Sequence, residues 1–129
     1  MKYLGIDFGL RRVGLATSQG EMATAWKVVE VRNLLDAVNK ISEIIKKENF
    51  EKVVVGLPEG KMGKTVIGFI NGLKRNGIEV NTTDETLSSK NAVSLMIDLN
   101  IPKQKRAVND NFSAMIILQN YLDKEYEKN

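Results

Sequence analysis

Short apolar runs broken by turn residues open the chain. Lys2 to Phe8 and Val13 to Ser18 read as strands joined by the turn Gly9-Leu10-Arg11-Arg12, with a weaker strand through Ala25 to Val31, so the pattern predicts an antiparallel meander. The period then changes. From Asn33 to about Glu48 the apolar residues Leu34, Leu35, Val38, Ile41, Ile44 and Ile45 recur at helical spacing, with Asn33 or Asp36 available to cap the start. Val53-Val54-Val55-Gly56-Leu57 is continuously apolar and β-branched, as a central strand buried on both faces requires, and Pro58 ends it. After a polar loop, Thr65 to Arg75 predicts a second helix and Ile78-Glu79-Val80-Asn81 a short strand. Ser88 to Leu99 predicts a third helix capped by Ser88, Pro102 to Arg106 a basic loop, and Phe112, Met115, Ile116, Leu118 and Leu122 mark a last helix. Strands and helices in this order predict an α/β fold with a mixed sheet. No linker, repeat or run of like charges divides residues 1–129, which are expected to form one domain.

One charge breaks this pattern. Asp7 lies inside Tyr3-Leu4-Gly5-Ile6-Asp7-Phe8-Gly9, an apolar strand that would ordinarily exclude it. Burying an ion without compensation costs several kcal/mol, so this carboxylate needs a lysine, an arginine or a metal ion beside it. A structural ion pair with Lys2, Arg11 or Arg12 is one reading. The flanking glycines favour the other, close approach of a ligand. Asp84-Glu85 follows a later strand and Asp110 precedes an apolar helix, so both could converge on Asp7. Adjacent strand residues face opposite sides, so only one of Asp84 and Glu85 is expected in such a site. Asp110 could equally serve as a helix cap.

Composition narrows the chemistry. The chain has no cysteine and no histidine, which removes disulfides, zinc-thiolate clusters, thiol nucleophiles and the commonest general base. Carboxylates, lysines, hydroxyls and water are left to handle protons, and hard oxygen ligands favour Mg²⁺ or Mn²⁺. The formal net charge of +3 permits contact with a polyanion. No apolar run approaches a membrane span and the charge at Asp7 comes too early for a signal-peptide core, so a cytoplasmic protein without a membrane partner is expected.

Taken in order, the blocks Leu4-Gly5-Ile6-Asp7-Phe8-Gly9-Leu10-Arg11-Arg12-Val13-Gly14-Leu15-Ala16, Val55-Gly56-Leu57-Pro58, Asp84-Glu85-Thr86-Leu87-Ser88-Ser89 and Asp110-Asn111-Phe112-Ser113-Ala114 resemble the YqgF (RuvX) family. That family comprises pre-16S rRNA nucleases and Holliday-junction-resolvase-like proteins. The resemblance implies a ribonuclease H-like fold with a five-stranded mixed sheet flanked by helices. It also implies catalytic, metal-holding roles for Asp7, Glu85 and Asp110, and so selects Glu85 over Asp84. Where the family's acidic block usually continues with arginine, this chain has Thr86. Such a site needs no histidine, because paired divalent ions held by carboxylates from separate elements can activate water and stabilise a leaving oxygen.

The cations fall near the same segments. Arg11 and Arg12 occupy the turn beside Asp7, Lys61 and Lys64 the loop after Pro58, and Lys103, Lys105 and Arg106 the loop before Asp110. Backbone contact by these residues is what a nuclease of structured RNA or branched DNA would use. Lys46, Lys47, Lys124 and Lys128 read as solvated helix charge. Gly60-Lys61-Met62-Gly63-Lys64-Thr65 lacks the spacing of a phosphate-binding P-loop. The expected activity is therefore metal-dependent cleavage of nucleic acid, foremost precursor 16S rRNA within ribosomal precursor particles. Holliday-junction resolution and binding without cleavage are the alternatives. No heptad or large apolar patch announces an oligomer, so a monomer or weak homodimer is expected.

Overall fold

The computed structural model describes residues 1–57, 62–84 and 110–127. Strands β1 (Tyr3–Asp7), β2 (Arg12–Ser18) and β3 (Thr24–Glu30) form the antiparallel meander. Helix α1 (Leu34–Lys47) leads to β4 (Lys52–Leu57), helix α2 (Met62–Arg75) to β5 (Val80–Asp84), and α3 (Asp110–Glu127) closes the described chain. The five strands order β3-β2-β1-β4-β5, with β4 parallel to β1 and β5 parallel to β4. This is a mixed five-stranded sheet of ribonuclease H-like topology, as expected. The predicted Ser88–Leu99 helix and the Pro102–Arg106 loop lie outside the described residues.

Strand alternation divides the core into two layers. Leu4 and Ile6 of β1 and Phe8 just after it, with Val13, Leu15, Val53 and Val55, turn toward α1 and α2. Ala16 and Val54, of opposite parity, pack against Ala114, Ile117, Leu118 and Leu122 of α3. The sheet is thus covered on both sides, and the unbroken apolar run in β4 follows from that burial.

The helix ends match their residue chemistry. Asn33 caps α1 by accepting the backbone N–H of Asp36 at 2.8 Å, while Asp36 accepts the N–H of Arg32 at 2.9 Å. Asn49 ends that helix in the left-handed region at φ 59°, and Gly77 does the same after α2 at φ 83°. Ile78 closes this second turn by donating its N–H to the Leu73 carbonyl at 3.1 Å, so it belongs to the turn. The strand predicted at Ile78–Asn81 therefore begins two residues later and runs to Asp84. Helix α2 begins at Met62, three residues ahead of the predicted Thr65.

The two helices on the first face close-pack along one line. Gly68 and Gly72, a turn apart on α2, meet Leu34 and Val38, a turn apart on α1. Phe8 stacks on Phe69 with ring centroids 4.6 Å apart, tying the end of β1 to α2. Among the described residues no helix is long and apolar enough to cross a membrane.

Candidate functional site

Strands β1, β4 and β5 run parallel, so Asp7, Leu57 and Asp84 end them on one edge of the sheet. Open α/β sheets gather function at the carboxyl ends of their parallel strands. Asp7 is half-buried there. It pairs across with Gly14 of β2, and Gly56 is the residue of β4 next beyond the Ile6–Val55 pair. Both neighbours of the carboxylate within the sheet therefore lack side chains, which leaves room on its face. The turn that follows is tight, since a β-carbon on Gly9 would lie 2.5 Å from the Arg12 carbonyl oxygen. That closeness holds Arg11 and Arg12 beside the strand end.

The face that Asp7 shares is fixed by Gly5, two residues earlier. A β-carbon on Gly5 would meet the Leu118 Cβ at 2.6 Å and the Ala114 carbonyl oxygen at 2.9 Å. Helix α3 therefore lies directly on β1. It runs opposite to the strand, because Gln119 accepts the Ala23 N–H near the start of β3 and Lys52, at the start of β4, interacts with Tyr121 and Glu125. From Gly5 to Asp7 the strand advances about 6.6 Å, and from Ala114 back to Asp110 the helix covers about 6 Å. Position 110, on the same helix face as Ala114, is thus brought level with Asp7.

Leu57 packs into the α1/α2 layer and registers with Asp84, whereas Gly56 registers with Thr83 on the opposite face. Which residue of the Asp84-Glu85 pair enters a site is left to the family resemblance. Glu85 lies outside the described residues, as do Lys61, Lys103, Lys105 and Arg106. Lys64 is exposed in the first turn of α2, not in the loop expected for it, because that helix begins early. Lys2 is excluded as a partner of Asp7. It stands at the other end of the strand, with its Nζ 2.7 Å from the Glu48 carbonyl and 3.6 Å from the Glu48 carboxylate.

Two cations join the site region that the sequence reading passed over. Arg11, Arg12, Arg32 and Lys40 line a groove of about 620 Å³ with Glu30 and Val31. Asp36 underlies it, 3.6 Å from Arg32 Nε and 3.3 Å from Lys40 Nζ. The backbone N–H of Arg32 holds the Asp36 carboxyl below its ordinary range, and Lys40 adds to this against the opposing effect of desolvation. A signal for the pair existed only in three dimensions, since Arg32 and Lys40 reach Arg11 through the return of β3.

Asp7 brings a carboxylate to this edge, where a hard divalent cation could be held, and the chain has no histidine or cysteine to compete as a ligand. Among the described residues no group of three such ligands occurs, and Glu85 is not one of those residues.

A mixed sheet in this order, covered on both faces and carrying an acid at the end of its first strand and another at the start of its last helix, defines the resolvase-type class of ribonuclease H-like proteins. The RuvX family model, described as Holliday junction resolvase, matches residues 1–124, and the chain belongs to that family. Curated relatives named "Putative pre-16S rRNA nuclease" include one from Natranaerobius thermophilus, 30% identical over 100% of this chain and 99% of its own length. Another, from Endomicrobium trichonymphae, is 38% identical over 95% of each chain. Among solved structures, Thermus thermophilus RuvC in complex with a Holliday junction substrate matches with a TM-score of 0.66 at 17% identity, covering 98% of this chain and 96% of that one. The fowlpox virus Holliday junction resolvase matches at 0.65 and 11% identity, covering 97% and 99%. These likenesses establish the ribonuclease H-like fold.

Proposed function

We propose that this chain is a divalent-metal-dependent nuclease that hydrolyses phosphodiester bonds in structured nucleic acid, with precursor 16S rRNA as its substrate in the cytoplasm. The observation that carries the reading is the seating of α3 on Gly5, which brings position 110 level with Asp7 beside two glycines. The names of the curated relatives supply the substrate. Asp7, Glu85 and Asp110 would hold Mg²⁺ or Mn²⁺, Glu85 being assigned by the family resemblance. Once bound, such ions supply activation of the attacking water and stabilisation of the leaving oxygen.

The chain's own residues bind and orient. Gly14 and Gly56 let the phosphodiester approach the Asp7 carboxylate closely. Arg11 and Arg12, held by the tight turn at Gly9, offset backbone charge next to the acids, and Lys64 stands at the entrance of α2 to do the same. Lys61, Lys103, Lys105 and Arg106 are proposed to extend this contact.

The fold of RuvC favours a second reading, cleavage of a four-way DNA junction. The test is cleavage of precursor 16S rRNA and of a synthetic junction, side by side, in Mg²⁺, in Mn²⁺ and in chelator, with molecular mass measured in solution. Metal-dependent scission of the RNA is the expected result. Symmetrical cutting of the junction alone, by a dimer, would replace the substrate. Salt-sensitive binding without scission of either would make the protein a binding factor.

A further inference from the structure

The groove between the β1–β2 turn and the start of α1 gathers cations. Four cations, Arg11, Arg12, Arg32 and Lys40, come from three separate segments, against the carboxylates of Glu30 and Asp36. Solvated surface charge ordinarily spreads apart. Here it is gathered and held, because the Arg11 carbonyl accepts the Val31 N–H at 2.9 Å and Lys40 donates to the Glu30 carbonyl at 2.9 Å. One carboxylate, Asp36, serves both Arg32 and Lys40, yet Arg32 remains 84% exposed and Lys40 46%, so both charges still face solvent.

The groove meets the face of Asp7 through Arg12, while Lys40 belongs to α1 on the other side of the sheet. Arg12 lies two residues from Gly14 on the strand that pairs with Asp7, and alternation gives Arg12 the same face as that acid. Its Cα is then about 8 Å from that of Asp7. That separation is short enough for one nucleic-acid strand to touch both residues. A space of about 620 Å³ is too large for one phosphate and of the size that holds several connected groups.

We infer that this groove is a seat for the sugar–phosphate backbone, in which Arg32 and Lys40 join Arg11 and Arg12 to hold the arm of the substrate that leaves the acidic edge over β3. The seat rests on the nuclease reading for its substrate, but it acts by binding. Contact is with phosphate oxygens, so it is independent of base sequence, and Asp36 aligns the two added cations before the nucleic acid arrives. The strand bound there is the one running past Asp7.

The test is the salt dependence of binding in chelator, read by fluorescence anisotropy, for the wild type and the double variant R32Q/K40Q. Two labelled duplexes are compared, one reaching across the groove and one trimmed to the acidic edge. Each lost phosphate contact lowers the slope of log affinity against log salt by about one unit, so the variant should lose about two on the long duplex and none on the trimmed one. The variant K74Q/R75Q, at the far end of α2, removes the same charge and should leave both slopes unchanged. Thermal unfolding and circular dichroism establish that the variants are folded. An unchanged slope for folded R32Q/K40Q on the long duplex would overturn the seat, as would equal losses in the two double variants. Cleavage of precursor 16S rRNA by wild type in Mn²⁺ reports separately on the nuclease reading, which can fail while the slopes behave as stated.

Discussion

A β-carbon on Gly5 would stand 2.9 Å from the carbonyl oxygen of Ala114, so strand β1 and helix α3 touch at backbone distance at this point. The contact sets the height of the helix over the strand, and with it the level of Asp110 beside Asp7. Gly5→Ala cannot be accommodated by a side-chain rotation alone, because backbone and the Leu118 β-carbon both stand in the way. It should cost about 1–3 kcal/mol by overpacking. Cleavage should fall further than the folded fraction, since the helix start is pushed away from Asp7. Thermal unfolding and cleavage rate measured on one preparation check this, and activity that merely tracks the folded fraction would detach the helix height from the site.

Asp7→Asn keeps the shape of the side chain and removes a charge from the edge where the parallel strands end. Cleavage should fall by about 10²-fold or more, because interactions that stabilise developing charge are commonly worth that much. Nucleic acid should still bind in chelator, at least as tightly, as one anion no longer repels the phosphates. If Asp7 served only a structural ion pair, the variant would unfold earlier and its activity would follow the folded fraction. A Mn²⁺ and Mg²⁺ titration of both proteins, alongside melting curves, decides between these outcomes. Equal rates at equal folded fraction would remove Asp7 from the chemistry.

The two glycines of α2 that face α1 should respond to alanine with opposite signs. At Gly68 a β-carbon meets only the Leu34 Cδ2 at 3.3 Å, the far end of a side chain that is 37% exposed and can turn aside. Gly68→Ala should therefore stabilise by about 0.5–1 kcal/mol through helix propensity. At Gly72 the same atom meets the Val38 Cγ2 at 2.6 Å, on a buried β-branched residue whose rotamer is stiff in a helix. Overpacking of about 1–3 kcal/mol outweighs the propensity gain there, and Val38→Ala in the same protein should restore most of the loss. Denaturant midpoints of the single and double variants measure both effects. A destabilised Gly68→Ala would show that the helices pack more rigidly at Leu34 than its exposure implies.

What was legible in the sequence depended on whether a residue's role could be expressed over short range. The meander, α1 and β4 each carry their own period, and Asp7 stood out because a charge interrupted one of them. Strand β5 was displaced because Asn81, Thr82 and Thr83 are polar, while Ile78, which looked like a strand residue, is buried by the turn closing on Leu73. An edge strand is held by backbone pairing to β4, and that leaves little trace in side-chain pattern. The start of α2 was missed because Met62-Gly63-Lys64 offers no capping residue. Arg32 and Lys40 were invisible for another reason, their association with Arg11 being made by the β2–β3 return. Glu85 rests on family resemblance alone.

The start of α1 provides a prediction in pH. Asp36 accepts the Arg32 N–H and lies beside the Arg32 and Lys40 side chains at the positive end of the helix, so its carboxyl is held below the ordinary value of 3.8. A depressed folded-state pKa means that the unfolded chain takes up the proton first as pH falls. The stabilisation is therefore fully present above the ordinary carboxylate pKa and is lost as pH drops through the lowered one. Asp36→Asn can still accept the backbone hydrogen bond but loses the charge. Its melting temperature should lie below that of the wild type by a constant margin from pH 8 to about pH 5, and the margin should close in more acid solution as the wild-type carboxylate is neutralised. Every other carboxylate titrates in both proteins, so the difference between the two curves isolates this one group. A margin that persists undiminished well below the ordinary carboxylate range would show that Asp36 acts through shape and hydrogen bonding, with its charge contributing nothing to the cap.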